Sequence, residues 1–131
     1  MSRLKDSIRI LRHLSLQRVW NVFLLRLSFY LTRMTKKSFH FGLPASMSIE
    51  PTTACNLGCP ECPSGLKQFT RPTGKLDLDL HKTLLSQIKS TVFYINYYFQ
   101  GEPFLHPRFL ELIKDAKREN IYTATSTNGH F

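Results

Sequence analysis

The chain carries all three of its cysteines in one short loop, spaced as Cys55-x3-Cys59-x2-Cys62. Thiolates this close together can converge on a metal centre, and their softness favours zinc or an iron–sulfur cluster. A structural zinc site wants four protein ligands, and neither His81 nor His106 has a ligand-pair spacing. Three ligands leave one position open, which suits a cluster that binds a further molecule through its remaining iron.

An alternation of predicted strands and helices surrounds this loop. Residues 45–50 alternate between apolar and polar and predict a strand, residues 92–99 (VFYINYYF) predict a second strand buried on both faces, and residues 121–126 predict a third. One helix is predicted from Asp77 or Asp79, and another from about Pro107 to a left-handed stop at Asn120. The order predicts an α/β fold with a parallel sheet and right-handed crossovers.

The second and third predicted strands are each followed by a polar turn, Gly101-Glu102-Pro103 and Thr127-Asn128-Gly129. The cysteine loop and these two turns, in this order at the ends of three successive strands, resemble the radical S-adenosylmethionine (SAM) superfamily. The likeness is to the branch of iron–sulfur oxidoreductases whose members often carry a C-terminal cluster domain of the SPASM type. It extends from about residue 46 to residue 131.

This resemblance implies a cofactor set and a reaction. Cys55, Cys59 and Cys62 would bind three irons of a [4Fe–4S] cluster, with SAM on the fourth. Reductive cleavage of SAM would yield a 5′-deoxyadenosyl radical that abstracts hydrogen from an unknown substrate, with electrons from a reductant of the ferredoxin or flavodoxin type. Four residues would bind SAM: Gly101 by close backbone approach, Glu102 through the ammonium, and Thr127 and Asn128 through polar contacts.

The sequence departs from the family pattern in two ways. Glu61 stands before the third cysteine, where the family often has an aromatic residue near adenine. A βα unit takes about 30 residues, so the chain has room for the N-terminal half of the family's (βα)6 partial TIM-type barrel. We therefore expect an incomplete core domain over residues 42–131, preceded by a basic arm over residues 1–41. Such a fragment is expected to be inactive or poorly soluble alone, with part of the aromatic run at 93–99 exposed.

The charge of the chain is concentrated at one end. The 131 residues are 42% hydrophobic and carry a formal net charge of +9, but residues 1–40 hold nine Lys/Arg and one acid. Residues 41–131 hold nine bases and eight acids, so a nucleic-acid groove over the whole protein is disfavoured. The apolar content argues against disorder, and three cysteines are too few for a disulfide scaffold. The lack of a disulfide framework favours a cytoplasmic protein.

The basic arm lacks proline and glycine from residue 3 to about residue 37 and predicts one or two helices. Its apolar run at 19–31 contains Arg26 and is too short to span a bilayer, which takes about 20 apolar residues, and no export signal is evident. We favour packing of the apolar face on the body of the protein, with the arginines solvated. The alternative is contact with an anionic membrane surface through residues 1–37.

A second class of function stays open on the residues alone. The chain could be a non-enzymatic interaction or membrane-anchoring module, with zinc on the three cysteines. The remaining histidines have no partner pattern and are interpreted as surface residues; they are His13, His40, His81 and His130. His106 is interpreted as a helix-entry residue. Lys67, Arg71 and Lys75 are interpreted as a solvated loop, with contact to an anionic substrate in a complete enzyme as the alternative.

Overall fold

A computed structural model describes residues 8–130 of the chain. A helical turn at residues 8–11 is followed by helix α1 (Leu16–Thr35), strand β1 (Ser46–Ser48) and helix α2 (Leu78–Ile88). Strand β2 (Tyr94–Asn96), a 3-10 turn (Pro103–Leu105), helix α3 (Phe109–Arg118) and strand β3 (Tyr122–Ala124) complete the described part.

The three strands form a parallel sheet in the order β1-β2-β3. Met47 lies opposite Ile95, which in turn lies opposite Thr123. Ile95 is fully buried and packs in a core with residues of α2, α3 and the segments leading into the strands; these include Leu85, Val92, Leu112, Ala116 and Ile121. The predicted α/β architecture with a parallel sheet is confirmed.

The strands are shorter than the hydrophobic pattern predicts, and the second one differs most. Only residues 94–96 of the predicted strand at 92–99 are paired as a strand, and the chain leaves the sheet afterwards. Tyr97 is fully buried, but Tyr98 and Phe99 are exposed, with Phe99 at 72%. The prediction of a strand buried on both faces over its whole length is therefore wrong, because the aromatic run continues past the point where the backbone turns into the next loop.

A side-chain cap and a left-handed residue mark the ends of the helices that flank the sheet. Asp77 caps α2, since its side chain accepts hydrogen bonds from the backbone N–H groups of Asp79 and Leu80. Beyond α3, Asn120 takes the left-handed conformation with φ of 54°, as predicted. From there Ile121 leads directly into β3.

The helical arm is divided by a short non-helical segment. Residues 12–15 are not helical, and Ser15 caps a new helix by accepting a hydrogen bond from the N–H of Arg18. Helix α1 then runs without a break to Lys36, which ends it with φ of 59°. The break at residues 12–15 gives two helical segments, which agrees with the expectation of one or two helices. Residues 1–7 lie outside the described part.

The fully buried residues of helix α1 are polar, and half-buried apolar residues such as Leu25, which lies against Gly42, flank them. Arg18 is only 3% exposed. Its guanidinium donates to the carbonyls of Lys89 at 2.7 Å, Glu119 at 3.1 Å and Asn120 at 2.6 Å. Lys89 and Glu119 are the C-caps of α2 and α3, so one cation satisfies unpaired carbonyls at two helix ends, where the helix dipoles also favour it.

The same inward face binds the segment that returns to the sheet. The side-chain amide of Asn21 donates to the carbonyl of Leu43 at 2.7 Å and accepts from its N–H at 2.8 Å. The Ser28 hydroxyl accepts from the N–H of Phe41 at 2.8 Å. Arg12, Arg26 and Arg33 are exposed, as expected for the arginines of the arm. Arg18 is the exception, because buried carbonyls at the helix ends require donors that leucines cannot supply.

Two histidines are buried rather than exposed. His81 is fully buried on α2, and its Nε2 lies 2.6 Å from the hydroxyl of Tyr97. Burial lowers the pKa of His81, with smaller effects from Asp115, which raises it, and from His106, which lowers it. The interpretation of His81 as a surface residue is wrong. His106 holds the entry to α3 by contacting the carbonyl of Leu76 at 2.9 Å through Nε2.

No helix among residues 8–130 combines the length and the apolar character needed to cross a bilayer.

Candidate functional site

The polar residues that the sequence singles out gather at one edge of the sheet, where the three parallel strands end. Ile49, just after β1, donates its N–H to the carbonyl of Asn96 at 2.9 Å, and Tyr97 donates its N–H to that of Ala124 at 2.7 Å. The three following loops therefore leave the sheet side by side. Binding sites in folds of this kind usually lie at the carboxyl ends of the parallel strands.

The carboxylate of Glu102 ties the second loop to the third. Its Oε1 accepts from the hydroxyl of Thr127 at 2.8 Å and from the N–H of Phe104 at 3.1 Å. Its Oε2 accepts from the N–H of Asn128 at 2.8 Å. Glu102 is only 2% exposed. An ionised carboxylate has about four acceptor positions, and these three donors leave about one for a ligand.

A second set of hydrogen bonds joins the third loop to the cysteine loop. The Asn128 side chain donates to Oδ1 of Asn56 at 2.9 Å and accepts from the N–H of His130 at 2.8 Å. The Asn56 amide in turn donates to the carbonyl of His130. Asn56 directly follows Cys55, so the turn after β3 is fixed against the start of the cysteine motif. The sequence patterns did not identify Asn56, because its role depends on a residue 72 positions away.

Gly101 lets the second loop lie directly on the backbone of the cysteine loop. Its φ is +74°, and a Cβ placed there would lie 2.2 Å from the carbonyl oxygen of Thr52 and 2.8 Å from that of Ala54. The next N–H, that of Glu102, donates to Ala54 at 2.8 Å. The close approach seen in the structure is to the cysteine loop, and the approach to SAM that the family resemblance implies for Gly101 stays a prediction.

The base of the cysteine loop is closed by pairing between its two ends. Leu76 donates its N–H to the carbonyl of Pro51 at 2.8 Å, and Thr53 donates to that of Gly74 at 3.2 Å. The intervening residues therefore form one long excursion from the end of β1. Its start is held close to the sheet edge while its tip stays exposed.

The three cysteines are free thiols on this loop. Cys55 and Cys62 are half-buried and Cys59 is exposed. Backbone N–H groups of Gly65 and Ser64 lower the pKa of the Cys62 thiol, with burial as a smaller opposing effect. The N–H of Cys62 also donates to the carbonyl of Cys59 at 3.2 Å, which closes a turn between the two. A lowered pKa favours the thiolate, which is the form that binds metals.

Two residues that sequence reasoning missed connect Cys62 to the second loop. The Cys62 thiol lies 3.7 Å from Oε1 of Gln100, and the hydroxyl of Ser64 donates to the same oxygen at 3.1 Å. Ser64 is largely buried and accepts from the N–H of Gly101 at 3.1 Å. The only sequence signal was the position of Gln100, which directly precedes the Gly101-Glu102-Pro103 turn.

Among residues 8–130, no three His, Cys, Asp or Glu side chains are arranged as a ready metal site. The donors themselves fit a thiolate-bound iron–sulfur cluster, because three free cysteines share one loop and backbone N–H groups favour the thiolate of Cys62. Glu61 is exposed between Cys59 and Cys62. The predicted ligand role of the cysteines and the SAM-binding roles of Gly101, Glu102, Thr127 and Asn128 stay predictions.

A basic cleft of about 290 Å³ opens beside Cys55. Its lining includes Ser64, Lys67, Phe69 and Arg71. The guanidinium of Arg71 lies over the ring of Phe69, 4.7 Å from its centroid, and forms an ion pair with Glu50 at 2.8 Å. Phe69 and Glu50 therefore hold the Arg71 side chain, which is 51% exposed and thus only partly solvated.

Solved structures with the same fold define the class of protein. BtrN, solved in complex with AdoMet and 2-DOIA, superposes with a TM-score of 0.61, is 26% identical, and is matched over 70% of this chain and 39% of its own. SuiB of Streptococcus suis, bound to S-adenosylmethionine, superposes with a TM-score of 0.58 over 81% of this chain and 24% of its own. SuiB is 19% identical and supports the fold alone.

Curated proteins give the same class from sequence. A tungsten-containing aldehyde ferredoxin oxidoreductase cofactor-modifying protein of Pyrococcus furiosus is 33% identical over 62% of this chain and 23% of its own length. The PqqA peptide cyclase of Gluconobacter oxydans is 31% identical over 66% of this chain and 24% of its own length. The mycofactocin maturase of Mycobacterium tuberculosis is 34% identical over 71% of this chain and 24% of its own length. No protein-family profile matches the chain.

These homologues and structural neighbours are radical SAM enzymes, so the family resemblance predicted from the sequence is confirmed over the part that they share. The chain spans about a quarter of the length of the curated relatives that it matches.

Proposed function

We propose that this chain is part of the catalytic domain of a radical SAM oxidoreductase. In this proposal β1, β2 and β3 are the first strands of a (βα)6 partial barrel, within a core domain over residues 42–131 that follows a basic helical arm over residues 1–41. The main support is the carboxylate of Glu102, which holds the turns after β2 and β3 together beside the cysteine loop. Such convergence of three strand ends suits one shared cofactor site.

The proposed ligands of a [4Fe–4S] cluster are Cys55, Cys59 and Cys62. When bound, the cluster and SAM supply reductive cleavage of SAM and hydrogen abstraction from a substrate. The contribution of the chain is to provide thiolates, and the N–H groups of Gly65 and Ser64 favour the thiolate of Cys62. Gln100 and Ser64 position this cysteine against the turn after β2.

The proposed SAM contacts lie on the two turns after β2 and β3. Glu102 has about one acceptor position left, and we assign it to the ammonium of SAM, a charge-assisted contact. Thr127 and Asn128 are held by the same carboxylate, so their remaining polar atoms are preorganised for contacts beside it. Gly101 keeps these turns against the backbone at Thr52 and Ala54.

The proposed partners are a reductant of the ferredoxin or flavodoxin type and a substrate whose identity the described residues do not specify. One of the relatives is named as a peptide cyclase and another as a mycofactocin maturase, which favours a peptide substrate. The three free thiols favour a reducing, cytoplasmic setting.

Anaerobic reconstitution of the 131-residue chain with iron and sulfide tests this proposal. We expect a brown protein with broad absorption in the violet and blue, containing iron and sulfide in equal amounts. Cys59→Ala should abolish the absorption, because Cys59 is one of only three cysteines. Glu61→Ala is the matched control, since it alters the same exposed loop without removing a thiolate.

The alternative function predicts a different result. A colourless chain that holds stoichiometric zinc after exposure to both metals would contradict the cluster proposal and support an interaction module. Retention of the brown colour in Cys59→Ala would also contradict the proposed ligand set. Addition of SAM to the reconstituted chain, followed by electron paramagnetic resonance of the reduced cluster, tests the SAM site separately from turnover.

A further inference from the structure

The outward face of α1 carries an apolar stripe that recurs every three or four residues. We define the outer stripe as Leu16, Val19, Trp20, Phe23, Leu27, Tyr30 and Met34. All seven side chains are exposed, from 36% for Leu27 to 90% for Leu16. Trp20 and Phe23 stack with ring centroids 5.3 Å apart. A stripe of this length on one exposed helix face is far more than the scattered apolar residues found on ordinary surfaces.

The contacts on the opposite face fix the rotation of α1 about its axis. Arg18 bonds to the C-terminal carbonyls of α2 and α3, while Asn21 and Ser28 bond to residues 43 and 41. Rotating α1 to bury the outer stripe would break these hydrogen bonds. Each polar group that stayed buried without a partner would then cost about 1–3 kcal/mol. The outer stripe is therefore held facing outward.

All charged residues of the segment that contains the outer stripe are basic. Residues 7–49 contain seven Lys/Arg and no Asp or Glu. Arg26 and Arg33 are exposed on α1, and Lys36 and Lys37 are exposed at its end. By helical spacing Arg26 and Arg33 lie along one edge of the stripe, next to Val19 and Tyr30. The face thus combines apolar side chains with positive charge.

This combination fits an anionic lipid surface. A helix with an apolar face and basic residues at its edge lies in the plane of the membrane interface, with its apolar side chains among the acyl chains and its bases near the headgroups. Trp20 and Tyr30 have the amphipathic rings that are enriched at this depth. The long arginine side chains can reach the headgroups from the edge of the stripe.

A second copy of the chain fits the same face less well. A two-fold contact would place the bases beside the stripe of one copy near those of the other. With no acid in residues 7–49, this stretch offers no carboxylate to pair with them. An anionic bilayer supplies the missing negative charge.

We propose that α1 docks this protein on the surface of an anionic lipid bilayer through the outer stripe. The helix lies parallel to the surface, and the sheet with its candidate cofactor site stays on the aqueous side. This association does not depend on the cofactor chemistry proposed above, because none of the stripe residues belongs to that site.

Trp20 is the only tryptophan of the chain, so its fluorescence reports directly on the outer stripe. The test mixes the full 131-residue chain with vesicles of phosphatidylcholine alone, or of phosphatidylcholine with phosphatidylglycerol. We expect a blue shift of Trp20 emission and co-sedimentation only with the vesicles that contain phosphatidylglycerol. Added salt should weaken the binding, since screening reduces the attraction of the bases.

Two sets of variants separate the apolar and the charged contributions. Phe23→Ser with Leu27→Ser should reduce partitioning at least about tenfold. Arg26→Gln with Arg33→Gln should reduce it roughly 25-fold, because each base near an anionic surface is worth about fivefold. Leu110→Ser is the apolar control, since Leu110 is 61% exposed on α3. Lys114→Gln with Lys117→Gln, also exposed on α3, is the charge control. Both controls should bind like the unmodified chain.

Three results would overturn the proposal. The first is an unchanged Trp20 spectrum in the presence of anionic vesicles. The second is binding that the stripe variant retains in full. The third is a concentration-dependent dimer in light scattering that Phe23→Ser abolishes while vesicles stay unbound, which would assign the outer stripe to a second copy.

Discussion

Glutamine in place of Glu102 perturbs the junction between the turns after β2 and β3 with little change in shape. The carboxylate accepts from the Thr127 hydroxyl and the Phe104 N–H through one oxygen, and from the Asn128 N–H through the other. In Glu102→Gln one of these oxygens becomes an NH2 group. Whichever way the amide is oriented, a donor then faces at least one other donor at a site that is 2% exposed.

The magnitude follows from the number and kind of these hydrogen bonds. A hydrogen bond to a charged group contributes about 1.5–3 kcal/mol, against about 0.5–1.5 kcal/mol for a neutral one. The variant loses at least one bond outright and converts the others from charged to neutral. We therefore expect unfolding to cost about 2–4 kcal/mol less free energy. At about 4 °C per kcal/mol for a chain of this length, the Tm should fall by roughly 8–16 °C.

Urea unfolding followed by circular dichroism measures this change on the chain without cofactors. Glu61→Gln is the matched control, because Glu61 is an exposed carboxylate on the cysteine loop, and it should stay within about 0.5 kcal/mol of the unmodified chain. A double-mutant cycle of Glu102→Gln with Thr127→Val should give a coupling of about 1 kcal/mol, as expected for groups in direct contact.

Equal stability of Glu102→Gln and the Glu61→Gln control would refute the role assigned to the Glu102 carboxylate. An additive double-mutant cycle would refute that role as well, because the Thr127 hydroxyl would then gain nothing from the carboxylate. In either case Glu102 would no longer explain how the two turns are held together.

Two further substitutions probe the backbone and the core. Gly101→Ala should destabilise the fold by at least about 2 kcal/mol more than Gly129→Ala; both glycines have positive φ, but only at Gly101 would a Cβ meet backbone, 2.2 Å from Thr52. Equal losses in urea unfolding would contradict this. Because burial lowers the pKa of His81 in the folded state, stability should be full above about pH 6.5, the ordinary histidine value, and should decrease as the pH falls below it. His81→Leu should remove this dependence between pH 5 and pH 7, while the exposed His40→Leu keeps it; an unchanged profile in His81→Leu would assign the dependence to another group.

The order of elements could be predicted because it depends on short-range patterns. Alternation at residues 45–50, the capping position of Asp77 and the left-handed stop at Asn120 are local signals, and all three correspond to observed features. Strand length could not be predicted in the same way. The run at 92–99 has strand propensity throughout, but the backbone turns after Tyr97 to bring Gly101 onto the cysteine loop.

The orientation of α1 shows the limit of pattern reasoning most clearly. An apolar stripe normally faces the core, and on that basis the arginines are expected in solvent. The observed helix presents Arg18 to the ends of α2 and α3 instead. The sequence contains no sign that these two helix ends converge, so it could not indicate that they need a shared cation.

The sequence by itself determined the kind of chemistry available, because three cysteines at this spacing and two polar turns after strands are fixed by the order of residues. Only the tertiary structure decided how these parts meet: Glu102 joins two turns, Asn56 and Asn128 join a turn to the cysteine loop, and Gln100 lies against Cys62. The physical reason is distance along the chain. Hydrogen bonds between residues 25 to 72 positions apart depend on how the strands pack side by side, and no local pattern encodes that packing.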